Sequence, residues 1–302
     1  MQRISSENVI YKFTNDLKEV AKVNQNEEFV VETNDCFYQQ ITNSKQVLDE
    51  INHDNLNPAT GPIYVEGAEK GDLLKVVIKK IDVSNRGCSL AIPGFGVLGG
   101  KVKNPTTKII EVKDGYAYFT EDIKIPIKPM IGVIGVATHK EDGEWTTDTP
   151  YKHGGNMDTA EIIAGSTLYF PVAVEGAMLA LGDLHAVMGD GEVSGTGLEI
   201  PGEVTLEVEV IKNKSFDWPI LETESEIMVL SSEENINEAN EQALEAVMEL
   251  LEKSLGISWE DALILSSLAV DMRISQLVDP KITIRAAISK DILSMERVLE
   301  NL

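Results

Sequence analysis

Val204-Thr205-Leu206-Glu207-Val208-Glu209-Val210 alternates apolar and polar residues without a break. That period of two belongs to a strand with one face buried and the other wet. Leu73–Val83 repeats the pattern, but its apolar phase shifts across Lys79-Lys80, as a β-bulge would produce. Further strands are expected at Glu28–Glu32, Thr107–Val112, Tyr116–Phe119, Ile131–Ala137, Thr159–Ala164 and Thr167–Val174. Turn signals such as Pro93-Gly94, Gly99-Gly100 and Lys113-Asp114-Gly115 punctuate them. Many short strands at close spacing favour a sandwich or barrel over alternating βαβ units.

The pattern changes near residue 230. Ser231-Ser232 followed by Glu233-Glu234 reads as a helix start, with acids at the positive end of the dipole. Ala243, Val247, Leu250 and Leu251 recur at helical spacing, and Gly256 sits where a C-cap glycine belongs. Ser258 and Asp261 open a second helix running through Leu263–Val270. A return strand is expected over Val278–Ala287, and a short helix over the last dozen residues. The expected architecture is therefore mainly β: a β-sandwich or barrel-like body of many short strands with a small C-terminal α/β appendage. Residues 1–220 are expected to form the catalytic body and residues 221–302 an α/β subdomain packed on it.

Charge narrows the partners. Lys and Arg number 26 against 50 Asp and Glu, a net charge of −24; such a surface repels phosphate backbones, which excludes nucleic acid. The longest apolar runs, Ile131–Ala137 and Leu168–Val174, fall far short of the roughly 20 residues a spanning helix needs, so no membrane association is expected. Residues 1–30 lack the apolar stretch of a signal peptide. Two cysteines, Cys36 and Cys88, make no disulfide framework and fit a reducing cytoplasm.

The chemistry concentrates in a few turns. Of the 4 histidines, His53 and His139 lie in hydrophilic loops. His153 precedes Gly154-Gly155-Asn156-Met157-Asp158, and His185 lies within Gly182-Asp183-Leu184-His185-Ala186-Val187-Met188-Gly189-Asp190-Gly191-Glu192. The second segment leaves the apolar run Ala177–Leu181 and at once offers Asp183, His185, Asp190 and Glu192. Asp183 and His185, two apart, point to one side of an extended chain. Imidazole with carboxylates suits zinc, and oxygen-rich variants suit calcium or magnesium. The same residues also fit a pair of acidic β-turns whose side chains bond nearby amides. Asn156 and the Gly154 and Gly155 amides offer donors for a carbonyl oxygen, or else form a glycine-rich hairpin connection. Cys36, beside Asp35, reads as a small buried hydrophobe. Gly94-Phe95-Gly96-Val97-Leu98-Gly99 has the spacing of a dinucleotide loop but no following helix, and reads as a flexible or substrate-covering loop. No Walker loop, His-Glu-x-x-His or Gly-x-Ser-x-Gly elbow is present.

Taken in order, Gly61-Pro62-Ile63-Tyr64-Val65-Glu66-Gly67-Ala68-Glu69-Lys70-Gly71-Asp72, His153 through Asp158, Gly182 through Gly195, and Val270 through Pro280 resemble the successive signatures of the acetamidase/formamidase family. The resemblance runs from about residue 28 to the C-terminus; Lys70 replaces the family's usual proline in a surface turn. It implies a mainly β, often dimeric enzyme that hydrolyses a small linear amide, formamide or acetamide, to carboxylate and ammonia by a metal-activated water. A divalent metal is implied, zinc before calcium, held by Asp35, Asp158, His185 and His153, with Asp183 orienting the imidazole. Glu192 is then the general base, with Asn156, Gly154 and Gly155 around the substrate oxygen. The competing readings are a hydrolase of another small or cyclic amide, and a non-catalytic β-sandwich binding module stabilised by metal.

Overall fold

The computed structural model describes residues 1–302. Strand Gly202–Ile211 carries the sequence alternation into space. Val204, Leu206, Val208 and Val210 are buried, and Thr205, Glu207 and Glu209 lie half-buried on the other face. The strand pairs antiparallel with Phe29–Thr33 on one side and Leu73–Val83 on the other. A one-residue slip would turn the apolar face outward, losing about 1.5–3 kcal/mol for each large apolar side chain exposed. Register against Leu73–Val83 jumps from Lys80 opposite Thr205 to Ile78 opposite Leu206. Lys79 is the extra residue of a bulge, where the sequence changed phase.

Nine strands make the principal sheet, in the order Gln2–Ile4, Phe29–Thr33, Gly202–Ile211, Leu73–Val83, Thr167–Pro171, Ile220–Glu222, Glu226–Glu233, Ile282–Ser289 and Val270–Gln276. A six-stranded sheet contains Gly154–Asn156, Met130–Gly135, Leu179–His185 and Ala59–Val65 in adjacent positions. One apolar core joins the two sheets, with Val31, Val76, Ile78 and Leu206 from the first meeting Ile63, Ile131, Leu179 and Leu181 from the second. A second core covers part of the large sheet with helix: Ala243, Val247, Leu250 and Leu251 of α1 (Ile236–Leu255) pack with Ile227, Val229, Ile284 and Ala286. The layering is thus sheet on sheet, with helices outside the larger sheet. No helix is long and apolar enough to cross a membrane.

Three segments differ from expectation. Ser231 and Ser232 belong to strand Glu226–Glu233, not to a helix start. This strand is covered on both faces, so its near-continuous burial hides a period of two, and Ser231 Oγ donates to the Ala239 carbonyl. The N-cap of α1 is Asn235, whose side chain accepts from the amides of Asn237 and Glu238. Gly256 is the left-handed C-cap (φ 66°), and Ser258 caps α2 (Trp259–Ala269) through the Asp261 amide, both as expected. Val270, expected to end the second helix, instead opens the edge strand Val270–Gln276 beside Ile282–Ser289. Thr159–Ala164, expected as a strand, is irregular, with Thr159 bonded to the Met157 carbonyl. The expected boundary at 220/221 falls inside strand Ile220–Glu222, and the large sheet continues across it.

Candidate metal centre

Strand Leu179–His185 runs fully buried and pairs with Met130–Gly135, delivering Asp183 and His185 to the protein interior. His185 Nε2 lies 3.1 Å from Glu199 Oε1, 3.5 Å from Asp183 Oδ1 and 3.8 Å from Glu192 Oε1. Its other nitrogen, Nδ1, lies 3.8 Å from Asp158 Oδ1. All five side chains are buried. Both Asp158 oxygens, Asp183 Oδ1, both His185 nitrogens and Glu199 Oε2 nevertheless lack a hydrogen-bond partner. Buried polar atoms are otherwise nearly always satisfied, so this cluster is built for something that supplies charge.

Two glycines make the crowding feasible. A Cβ on Gly132 would stand 2.5 Å from Asp158 Oδ1 and 2.7 Å from Asp183 Oδ2. One on Gly197 would stand 2.6 Å from the His185 ring. The backbone contributes too: Asp158, Asp183 and Glu192 all have positive φ, at 38°, 54° and 44°. Non-glycine residues rarely adopt that region, and such strain persists where surrounding structure holds it, commonly at functional sites.

Electrostatics follow from burial. Against the downward push of desolvation, Glu199 and Asp183 hold the His185 imidazole well above its ordinary pKa. Burial raises Glu199 to about 8, and burial with the neighbouring Asp183 charge raises Asp158 to about 7. Burial, then Asp158, lifts Glu192 well above the carboxylate range. Asp183 alone is lowered, because His185 outweighs its desolvation. So many mutually repelling carboxyls around one imidazole are relieved by a cation.

The donor atoms fall into two groups. Asp158, His185 and Glu192 offer atoms all within 4.8 Å of one another, as do Cys36, Asp183 and Glu199. The fit to a divalent ion is therefore good on spacing, burial and orphaned atoms together. Sequence reading singled out Asp158, Asp183, His185 and Glu192, and the structure brings these four together. Asp35 and His153 belong to neither donor group. Asp35 Oδ1 accepts from the amides of Phe37 (3.1 Å) and Gln39 (2.7 Å), closing a turn. His153 is buried against Phe13, ring centroids 4.8 Å apart, and burial lowers it to about 3. Asn156 reaches the neighbourhood: Nδ2 donates to Asp279 Oδ2 at 3.1 Å, and both line the cavity above the cluster. Gly154 donates its amide to the Tyr151 carbonyl, and neither Gly154 nor Gly155 lines that cavity.

Sequence reading missed Glu199, Asp279 and the placement of Cys36. Glu199 had a signal: a lone carboxylate between Leu198 and Ile200 sits on an apolar segment where an acid must be satisfied inside. It pairs through its backbone with both Cys88 and His185. Cys36, read as a buried hydrophobe, is half-buried on the cavity lining, and burial with nearby Glu199 and Asp183 pushes its thiol well above the ordinary range.

Fold and site together define a β-sandwich protein with a buried carboxylate–imidazole centre below a surface cavity. The chain belongs to the Acetamidase/Formamidase family, whose model matches residues 2–146 and 140–295. Among solved structures it is similar to the acetamidase of Bacillus halodurans, 41% identical with a TM-score of 0.94 over 98% of this chain and 99% of that one. It is equally similar to a predicted acetamidase/formamidase of Thermoanaerobacter tengcongensis, 44% identical, TM-score 0.95, over 98% of both chains. The formamidase of Methylophilus methylotrophus is 28% identical over 255 residues, 66% of this chain and 63% of that protein. The chain thus spans under two thirds of the length of the curated relatives it matches.

Proposed function

We propose that this protein hydrolyses a small uncharged linear amide, of the formamide and acetamide type, to carboxylate and ammonia at the Asp158–Asp183–His185–Glu192–Glu199 centre. The observation that carries the reading is the set of unpartnered buried oxygens and nitrogens converging there. The metal would be a divalent cation held by Asp158 and His185, with Glu192, Asp183, Glu199 and Cys36 adjoining. Zinc suits a donor set that includes imidazole and a nearby thiol; calcium takes oxygen ligands alone. When bound, such an ion polarises an amide carbonyl and lowers the pKa of water towards neutrality.

The chain's own groups divide the remaining work. Glu192 lines the cavity and is the carboxylate placed to take a proton from the attacking water and pass it to the departing nitrogen. Asp183, ionised beside His185, fixes the imidazole's orientation. Asn156, anchored on Asp279, orients the amide at the cavity floor. A cytoplasmic homodimer is the setting we propose: the free cysteines Cys36 and Cys88 suit a reducing compartment, and the family resemblance supports the dimer.

Ammonia release from formamide and acetamide, compared before and after chelation, tests the proposal. Release that chelation abolishes and zinc restores is expected. A folded, metal-loaded protein that releases no ammonia would instead support a metal-stabilised binding module.

A further inference from the structure

The cavity above the metal centre is about 500 Å³, within the range of sites for drug-sized ligands. At roughly 30 Å³ for a water-sized group, an acetamide molecule leaves most of that space unused. Its lining is of two kinds. Asp183, Glu192, Glu199, Asn156 and Asp279 are polar. Phe37, Leu48 and Leu56, then Ile92 and Phe95, then Val278 are apolar and come from three separated parts of the chain, and Leu48, Leu56 and Ile92 pack about one small core with Phe37. Phe95 rides on the Gly94–Gly99 loop, which bonds to the Glu192-bearing loop through the Val97 amide and Val193 carbonyl, 3.0 Å. The apolar lining is therefore tied directly to the loop that carries Glu192. No Lys, Arg or His lines the cavity, whereas five carboxylates do.

We infer that this cavity selects uncharged amides with a sizeable apolar acyl group, from pentanoyl to phenylpropanoyl, over formamide and acetamide. The inference rests on the amide-hydrolysis reading above and specifies its substrate class. The amide head lies at the polar residues, where Asn156 and Glu192 reach it. The acyl chain lies along Leu48, Leu56, Ile92 and Phe95, and gains binding in proportion to the apolar surface it covers. A substrate bearing its own carboxylate meets an acidic lining in which no Lys, Arg or His side chain offers a counter-charge to its far end.

The test is kcat/KM for ammonia release by the zinc-loaded protein on formamide, acetamide, pentanamide, hexanamide, 3-phenylpropanamide, succinamate and 6-aminohexanamide. Along the neutral series kcat/KM is expected to rise roughly fourfold per methylene, with succinamate below acetamide and 6-aminohexanamide below hexanamide. Leu56→Asp and, as an independent variant on a separate segment of the chain, Ile92→Asp are each expected to flatten the rise. Acetamide turnover with kcat/KM flat or falling along the series overturns this inference and leaves the amidase reading standing. A preference for the cationic amide overturns it in favour of recognition by the acidic lining. No ammonia from any of these amides overturns both readings.

Discussion

His185 and Glu199 face each other across an isolated antiparallel bridge, with the imidazole Nε2 3.1 Å from the carboxylate and both side chains closed to solvent. Glu199 therefore belongs to the same charge cluster as the residues the sequence motifs mark. Glu199→Gln keeps the shape and removes the charge. It is expected to weaken divalent-metal binding and lower kcat/KM roughly 10- to 100-fold, with the circular dichroism spectrum unchanged. Metal content after dialysis and amide turnover check both.

Gly132→Ala tests whether the crowded approach of Asp158 and Asp183 is required. The added methyl would meet both carboxylates at under 3 Å. Overpacking of this kind costs about 1–3 kcal/mol, and displacement of the two acids should weaken metal binding at the same time. Thermal denaturation and a metal titration of the variant read the two effects separately.

Arg285 links the C-terminal strands to the site loops. Buried in strand Ile282–Ser289, it donates from Nη2 to Asp190 Oδ2 at 2.7 Å and to Glu161 Oε1 at 3.2 Å. Asp190 lies two residues before Glu192. A parallel tether joins Thr159 to Ser275, Oγ to Oγ, at 2.8 Å, next to Asp158. Arg285→Met is expected to lower kcat by about 10-fold while KM changes little, because it loosens the loops that aim Glu192 and Asp158. Steady-state kinetics on the folded variant check this.

The pH dependence of stability has two opposed arms. His153 stays neutral in the fold, its pKa lowered to about 3 by burial, so the unfolded chain binds the extra proton. Its contribution is fully present above about pH 6.5 and is lost as pH falls towards 3, by about 1.4 kcal/mol per unit. His153→Phe should reduce this acid loss, as measured by urea denaturation between pH 4 and 7 (roughly the window set by these pKa values). Glu199 and Asp158 have the reverse sign. Raised to about 8 and 7, they favour the fold while protonated, and that contribution is lost as pH rises from the ordinary carboxylate range through those values. His185, also raised, loses its contribution in the same direction. Chelated protein should therefore lose stability as pH rises towards 8, and added zinc should remove that slope while releasing protons.

Much of the architecture is legible in the sequence because sheets with one wet face enforce alternation. Gly202–Ile211 and the bulge at Lys79 are read directly from the pattern. Glu226–Glu233 is not, because cover on both faces erases the period and leaves two serines that resemble a helix cap. The site shows the same division. His185, Asp183 and Glu192 stand in one glycine-punctuated segment, and Asp158 in another, so local chemistry exposes them. Glu199 sits between apolar residues, and Gly132 and Gly197 act only through space. Asp35 shows why turn carboxylates are ambiguous in sequence: such a residue reads like a ligand, and its Oδ1 also accepts from the Phe37 and Gln39 amides.

The most direct measurement of the central claim is the anomalous scattering of zinc in crystals of the zinc-loaded protein. A peak held by Asp158 and His185, with Glu192, Asp183 and Glu199 beside it, is predicted, and it should vanish in His185→Ala. An empty centre in zinc-loaded, ammonia-releasing protein, or a peak at His153 instead, would contradict the account.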